Sequence, residues 1–187
     1  MADDASPKPL SPLGVVDSTV SHSARIWNYW LGGKGAYDVD RRVGDEILAY
    51  VPELIRSARA DRHFLTRAVH YLAAEAGVRQ FLDIGTGLPW PPPTRSPSAS
   101  RLSPASPTWT KTRSSDGEAM TGAVDYWNSQ GTAPMRLRTR DESACLFDRV
   151  TLVEPGVVSC SRWRPREDAE PGRIADVTHV CGVGVKR

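Results

Sequence analysis

Apolar residues first fall into register at Ile26, where Trp27, Tyr29, Trp30 and Leu31 complete the wide face of a short helix. Ser21 or Ser23 is its expected N-cap and Gly32-Gly33 its exit, because glycine tolerates the left-handed conformation at a helix end. A second helix is expected from a cap at Asp38 to about Tyr50, with Val43, Ile47, Leu48 and Val51 at helical spacing before Pro52 interrupts. Pro52 suits the first turn of a third helix. Its apolar positions run from Leu54 through Ala73 to a stop at Gly77, a length that accommodates a break near Arg59 to Asp61. The period then changes. Gln80-Phe81-Leu82-Asp83-Ile84-Gly85 reads as a short buried strand entering a glycine turn.

Beyond Trp90 the patterning disappears. Seventeen of the 25 positions from Pro91 to Ser115 are Pro, Ser or Thr, a composition that cannot bury enough apolar surface to offset chain ordering. Order is expected again near Met120. Thr139-Arg140-Asp141-Glu142 has the spacing of a capping box and opens a helix carrying Ala144, Leu146 and Phe147. Val150 to Val158 then reads as a strand with an irregularity at Pro155-Gly156, and Val177 to Val185 as a second. The expected organisation is a disordered arm over 1–20, helices and a first strand over 21–90, a disordered segment over 91–118, and a helix with a strand pair over 119–187.

At 187 residues, 40% hydrophobic and 25% charged, the chain has the composition of one globular domain. A net charge of +2 is too small to argue a nucleic-acid surface, and the alternating Arg136, Arg138 and Arg140 read as a solvated face. Cys145, Cys160 and Cys181 are widely spaced and read as reduced thiols. His22, His63, His70 and His179 are scattered without metal-ligand spacing and read as surface or helix-packing residues. Trp27, Trp30 and Trp127 are expected in the core. No signal peptide or membrane span is visible, so the expected compartment is the cytoplasm, with no membrane partner.

The informative chemistry is Asp83-Ile84-Gly85-Thr86-Gly87. Two glycines after a strand let backbone pass close to a bulky ligand, and Asp83 can accept a hydrogen bond from an amine. Taken alone, the same glycines fit an ordinary tight turn equally well. A dinucleotide fingerprint is disfavoured, because Trp90 stands where its third glycine belongs.

Several segments in order, Ser23 to Lys34, Asp40-Arg41, Ala60 to Leu65 and Phe81 to Pro89, together resemble a bacterial family of S-adenosyl methyltransferases once catalogued as a domain of unknown function. The likeness resumes at Tyr126-Trp127-Asn128-Ser129, Leu137 to Arg140, Leu152 to Val158, Arg162 to Pro165 and Gly182-Val183-Gly184, which look like that family's last helix and final antiparallel strand pair. The resemblance implies an α/β fold: N-terminal helices plus a partial Rossmann-like methyltransferase sheet. It implies S-adenosylmethionine as cofactor, no metal, and a small-molecule or unknown methyl acceptor. Asp83, Gly85, Thr86 and Gly87 would line the cofactor, and Arg25, Tyr29, Gly33 and Lys34 would close over it. Gly35-Ala36 departs from the Asp-Asn pair usual in the family.

A sheet of that kind needs a second strand ending in an acid for the ribose hydroxyls, and further central strands. None is visible between Leu88 and Met120. Reading the codons of Thr108-Trp109-Thr110 from the third base of each regroups TGG-ACN into GAC, which forces an aspartate. Its neighbours can then read Tyr-Val before and an acid and proline shortly after, like the family's second-strand ending. The expectation is a truncated chain with an internal frameshift and deletion, its central strands missing. The alternative to a working methyltransferase is an inactive remnant of one.

Overall fold

The computed structural model describes residues 16–81, 117–130, 132, 134–165 and 174–186. The expected arm over 1–15, most of the expected strand after Phe81, the glycine turn and the Pro/Ser/Thr-rich segment up to 116 lie outside the described residues. Residues 16–20, expected as the end of the arm, carry a turn in which Asp17 accepts from the N–H and hydroxyl of Thr19.

Helix α1 spans Ser23–Trp30. Its N-cap is neither serine proposed from sequence but His22, whose ring nitrogen accepts from the Ala24 N–H at 3.2 Å. Ser21 turns away and donates to the Gln130 carbonyl. Helix α2 spans Asp38–Tyr50, as expected, but Asp38 is its first helical residue and Tyr37 the N-cap. Asp40 decides this, reaching back to accept from the Tyr37 N–H at 2.9 Å. Helix α3, Leu54–Ala74, is unbroken through Arg59 to Asp61. Pro52 precedes it instead of joining its first turn. Gly77 stops it with φ of +71°, while the Ala76 and Val78 N–H groups return to Tyr71 and Leu72.

Helix α4 spans Gly117–Ser129 and includes the last two residues of the segment expected to be disordered. Thr139 and Glu142 exchange the anticipated capping bonds, Thr139 accepting from the Glu142 N–H and Glu142 from the Thr139 N–H, to open α5, Arg140–Ala144. A single 3₁₀ turn, Cys145–Phe147, follows.

Four two-residue strands complete the described fold: β1 Thr151–Leu152, β2 Val158–Ser159, β3 Val180–Cys181 and β4 Gly184–Val185. β1 pairs with β4 and β2 with β3, both antiparallel. The pair expected from sequence is therefore present, but its register slips by three residues between Leu152↔Gly184 and Val158↔Cys181. The extra residues sit at the Pro155-Gly156 irregularity, where Gly156 takes a φ of +81°. The expectation that residues 80–84 pair with the C-terminal strands fails for Gln80 and Phe81, which join no ladder. The C-terminal strands satisfy their backbone groups on each other.

Two cores hold these elements. Ile26, Trp30, Val43, Ile47, Val51 and Leu54 enclose Met120, Ala123 and Trp127 of α4. Trp27 is only half-buried and packs on their edge. The second core is Ala68, Trp163 and Val183, with Phe64, Tyr71 and Leu72 of α3 around them. The cysteines are free thiols, Cys160 buried and Cys145 exposed. Among the described residues, no helix is long and apolar enough to cross a membrane.

Candidate cofactor-binding site

Of the four residues expected to close over a cofactor, Gly33 and Lys34 form the exit of α1, where the chain turns toward α2, Tyr29 lies in its last turn and Arg25 in its first. Gly32 adopts φ of +79° and its N–H returns to Tyr29, while the Gly33 N–H bonds the Asn28 carbonyl at 2.8 Å. The Asn28 side chain then accepts from the Gly35 N–H at 3.0 Å. A Cβ at Gly33 would overlap the Asn28 amide, so glycine here makes room for the clamp that shapes the turn. Gly33→Ala is expected to cost roughly 1–3 kcal/mol in urea unfolding, with Asn28→Ala added in the same chain costing less than the two single changes summed.

Arg25 points inward. Its Nε donates to Asp40 at 2.7 Å and its terminal nitrogen to the carbonyls of Val20 and Asp17, with the guanidinium over the Tyr37 ring. Tyr29 donates its hydroxyl to Asp45 at 2.8 Å, a bond that raises the phenol above its ordinary value. Lys34 presents its side chain to solvent at the tip of the turn. Thus Arg25 ties the segment before α1 to the start of α2, and Lys34 supplies an exposed cation at the turn. Asp83, Gly85, Thr86 and Gly87 lie outside the described residues.

Two buried polar groups escaped the sequence reading. Asp40 is completely buried and accepts from Arg25, the His22 N–H and the Tyr37 N–H. Burial works against its charge, but these bonds outweigh it and hold the carboxyl below its ordinary value. The second is Asp61 of α3, 2.6 Å from the Nδ1 of His179 beside β3, both buried. A partner 118 positions away leaves no local signal. His179 is thus a helix-packing histidine, in keeping with its expected role. Arg140 of the expected basic face also has a structural task, donating to the Val157 carbonyl at 2.7 Å. Among the described residues, no group of three or more His, Cys, Asp or Glu side chains is arranged to hold a metal.

The family model for S-adenosyl methyltransferases matches residues 12–108 and 97–187. The chain belongs to that family. Two solved structures share its fold. One is a DUF574-family protein from Streptomyces avermitilis MA-4680, 24% identical, with a TM-score of 0.72 over 91% of this chain and 99% of that one. The other is a protein from Thermobifida fusca YX provisionally assigned as a methyltransferase, 22% identical, with a TM-score of 0.74 over 90% of this chain and 96% of that one. No curated protein matches it. The family's description, S-adenosyl methyltransferase, implies S-adenosylmethionine as its cosubstrate. Its model meets the chain in two overlapping stretches that together span both the helical N-terminal part and the C-terminal strand pair.

Proposed function

We propose that this chain binds S-adenosylmethionine at Asp83, Gly85, Thr86 and Gly87 and transfers its methyl group to a small-molecule acceptor. The observation that carries the reading is the family match over residues 12–108 and 97–187. The turn at Gly33 and Lys34 supports it, because a shaped, solvent-facing cation suits the carboxylate of the cofactor's amino-acid end. Asp83 would take the ammonium of that end, with Tyr29 beside the lip and Arg25 holding the start of α1 to α2. When bound, the cofactor supplies an activated methyl on a sulfonium. The chain's own task is then to align the acceptor nucleophile and keep water away. A partial Rossmann-like sheet would carry the glycine turn.

A second reading, an inactive remnant, draws on one specific observation: the described strands form only two short antiparallel pairs, with no parallel strand among them. Losing a ribose-binding carboxylate removes charge-assisted hydrogen bonds of about 1.5–3 kcal/mol, roughly a ten- to hundredfold loss of affinity. Titration calorimetry with S-adenosylmethionine and S-adenosylhomocysteine separates the two. Binding at about micromolar Kd, abolished by Asp83→Ala, is the result for a working site. Heat at the level of dilution for both ligands, unchanged by Asp83→Ala, makes the chain a remnant.

A further inference from the structure

Two of the three cysteines meet on one face of the short β2–β3 ladder. Its register pairs Val158 with Cys181 and Ser159 with Val180, and the Cys160 N–H carries the pairing one step further by donating to the His179 carbonyl at 3.0 Å. Side chains two apart on a strand share a face, so Val158, Cys160, His179 and Cys181 point the same way. That way is toward α3. Asp61 holds His179 from there at 2.6 Å, and Val158 and Cys181 pack with Ala68 and Trp163. Cys160 and Cys181 are diagonal neighbours on this face, and their thiols are hydrogen-bonded to each other. The Asp61 carboxylate also reaches the Cys160 thiol, and Arg67 fixes the Cys160 carbonyl at 2.7 Å.

The two thiols differ in what they can do. Cys160 is buried, and its bond to Cys181, its burial and the Asp61 carboxylate all push the thiol up, which leaves it protonated and inert toward outside reagents. Cys181 is only half-buried. We propose that Cys160 and Cys181 are a redox-active pair that closes to an intrachain disulfide, with a small-molecule disulfide of the glutathione type as oxidant. Cys181 is the entry point: its thiolate attacks the glutathione disulfide, forms a mixed disulfide and releases one glutathione thiolate. Cys160 resolves it. The Asp61 carboxylate takes the Cys160 proton as the Cys160 sulfur attacks the Cys181 sulfur, and the proton then passes to the departing second glutathione. The pair loses two protons and two electrons, and one glutathione disulfide becomes two glutathione thiols. The new bond ties β2 to β3 beneath α3, and it depends on neither cofactor binding nor methyl transfer.

The test uses the whole chain with Cys145→Ser, which removes the exposed thiol and with it cross-links between chains. Incubation with glutathione disulfide is expected to remove two hydrogens from the intact mass, and peptide mapping without reductant to find the peptides of Cys160 and Cys181 joined. Dithiothreitol should restore both thiols. Adding Cys160→Ser is expected to stop the reaction at a glutathione adduct on Cys181, whereas Cys181→Ser should leave Cys160 unmodified. That order is a signature of the folded geometry, since in an unfolded chain either thiol takes the adduct. The folded chain should hold one thiol near the other at an effective concentration at least about tenfold above that in urea, read from the glutathione redox ratio at which the disulfide forms. Once closed, the bond is expected to raise the thermal midpoint by roughly 4–16 °C. Both thiols intact, glutathione adducts without the intrachain bond, a disulfide that forms as readily in urea, or a midpoint that does not rise would each overturn the inference.

Discussion

Trp163→Ala is expected to destabilise the chain by about 3–5 kcal/mol, the largest effect of any single truncation in the second core. The indole is completely buried, with the ring of Phe64 edge-on at 5.4 Å and that of Tyr71 at 5.9 Å. Its removal opens a cavity between α3 and the strand pair and loosens the carbonyl that Arg67 grips. Thermal unfolding followed by circular dichroism is the measurement. At about 2–4 °C per kcal/mol for a chain of this size, the midpoint should fall by roughly 6–20 °C. A fall of a degree or two would mean that the strand region is not packed on α3 in solution.

Asp40→Ala is the second large effect, expected at about 3–5 kcal/mol, because it leaves the Arg25 guanidinium buried without its counter-charge. It also strips the acceptor from two backbone N–H groups, those of His22 and Tyr37. Arg25→Ala combined with Asp40→Ala should cost clearly less than the sum of the single changes, since the double variant has no stranded charge. The pH dependence has a fixed sign. Asp40 is held below its ordinary value by Arg25 and the two N–H donors, so its contribution is complete above about pH 4 and disappears as pH falls through the lower folded-state value. Denaturant titrations of the parent and of Asp40→Asn below about pH 4 check this, the parent losing stability more steeply. Equal slopes would remove Asp40 from the account of acid unfolding.

The parts of the fold legible in the sequence are those decided by neighbours a few positions apart. The apolar spacing of Val43, Ile47 and Val51 placed α2, and Thr139 with Glu142 placed the start of α5. Gly77 marked the end of α3 because a left-handed residue is needed there. Caps were less legible: a histidine ring nitrogen replaced the expected serine at α1, since Ser21 had a distant carbonyl to serve. The length of the third helix suggested a break near Arg59 to Asp61, but α3 runs through it, and Asp61 is held there by His179, which is remote in sequence. In the candidate site, Gly32 and Gly33 were legible as the turn that ends α1. Arg25 was not, because nothing local says that its charge turns inward to Asp40.

The bond from Arg25 back to the carbonyls of Asp17 and Val20 bears on how the N-terminus can be trimmed. Composition alone places the first dispensable boundary at about residue 20, where the Pro-, Ser- and Asp-rich stretch gives way to helix. Trimming there would delete two acceptors of a buried guanidinium and leave its donors facing a fresh ammonium terminus. A boundary no later than Val16 is therefore needed to keep the whole cradle.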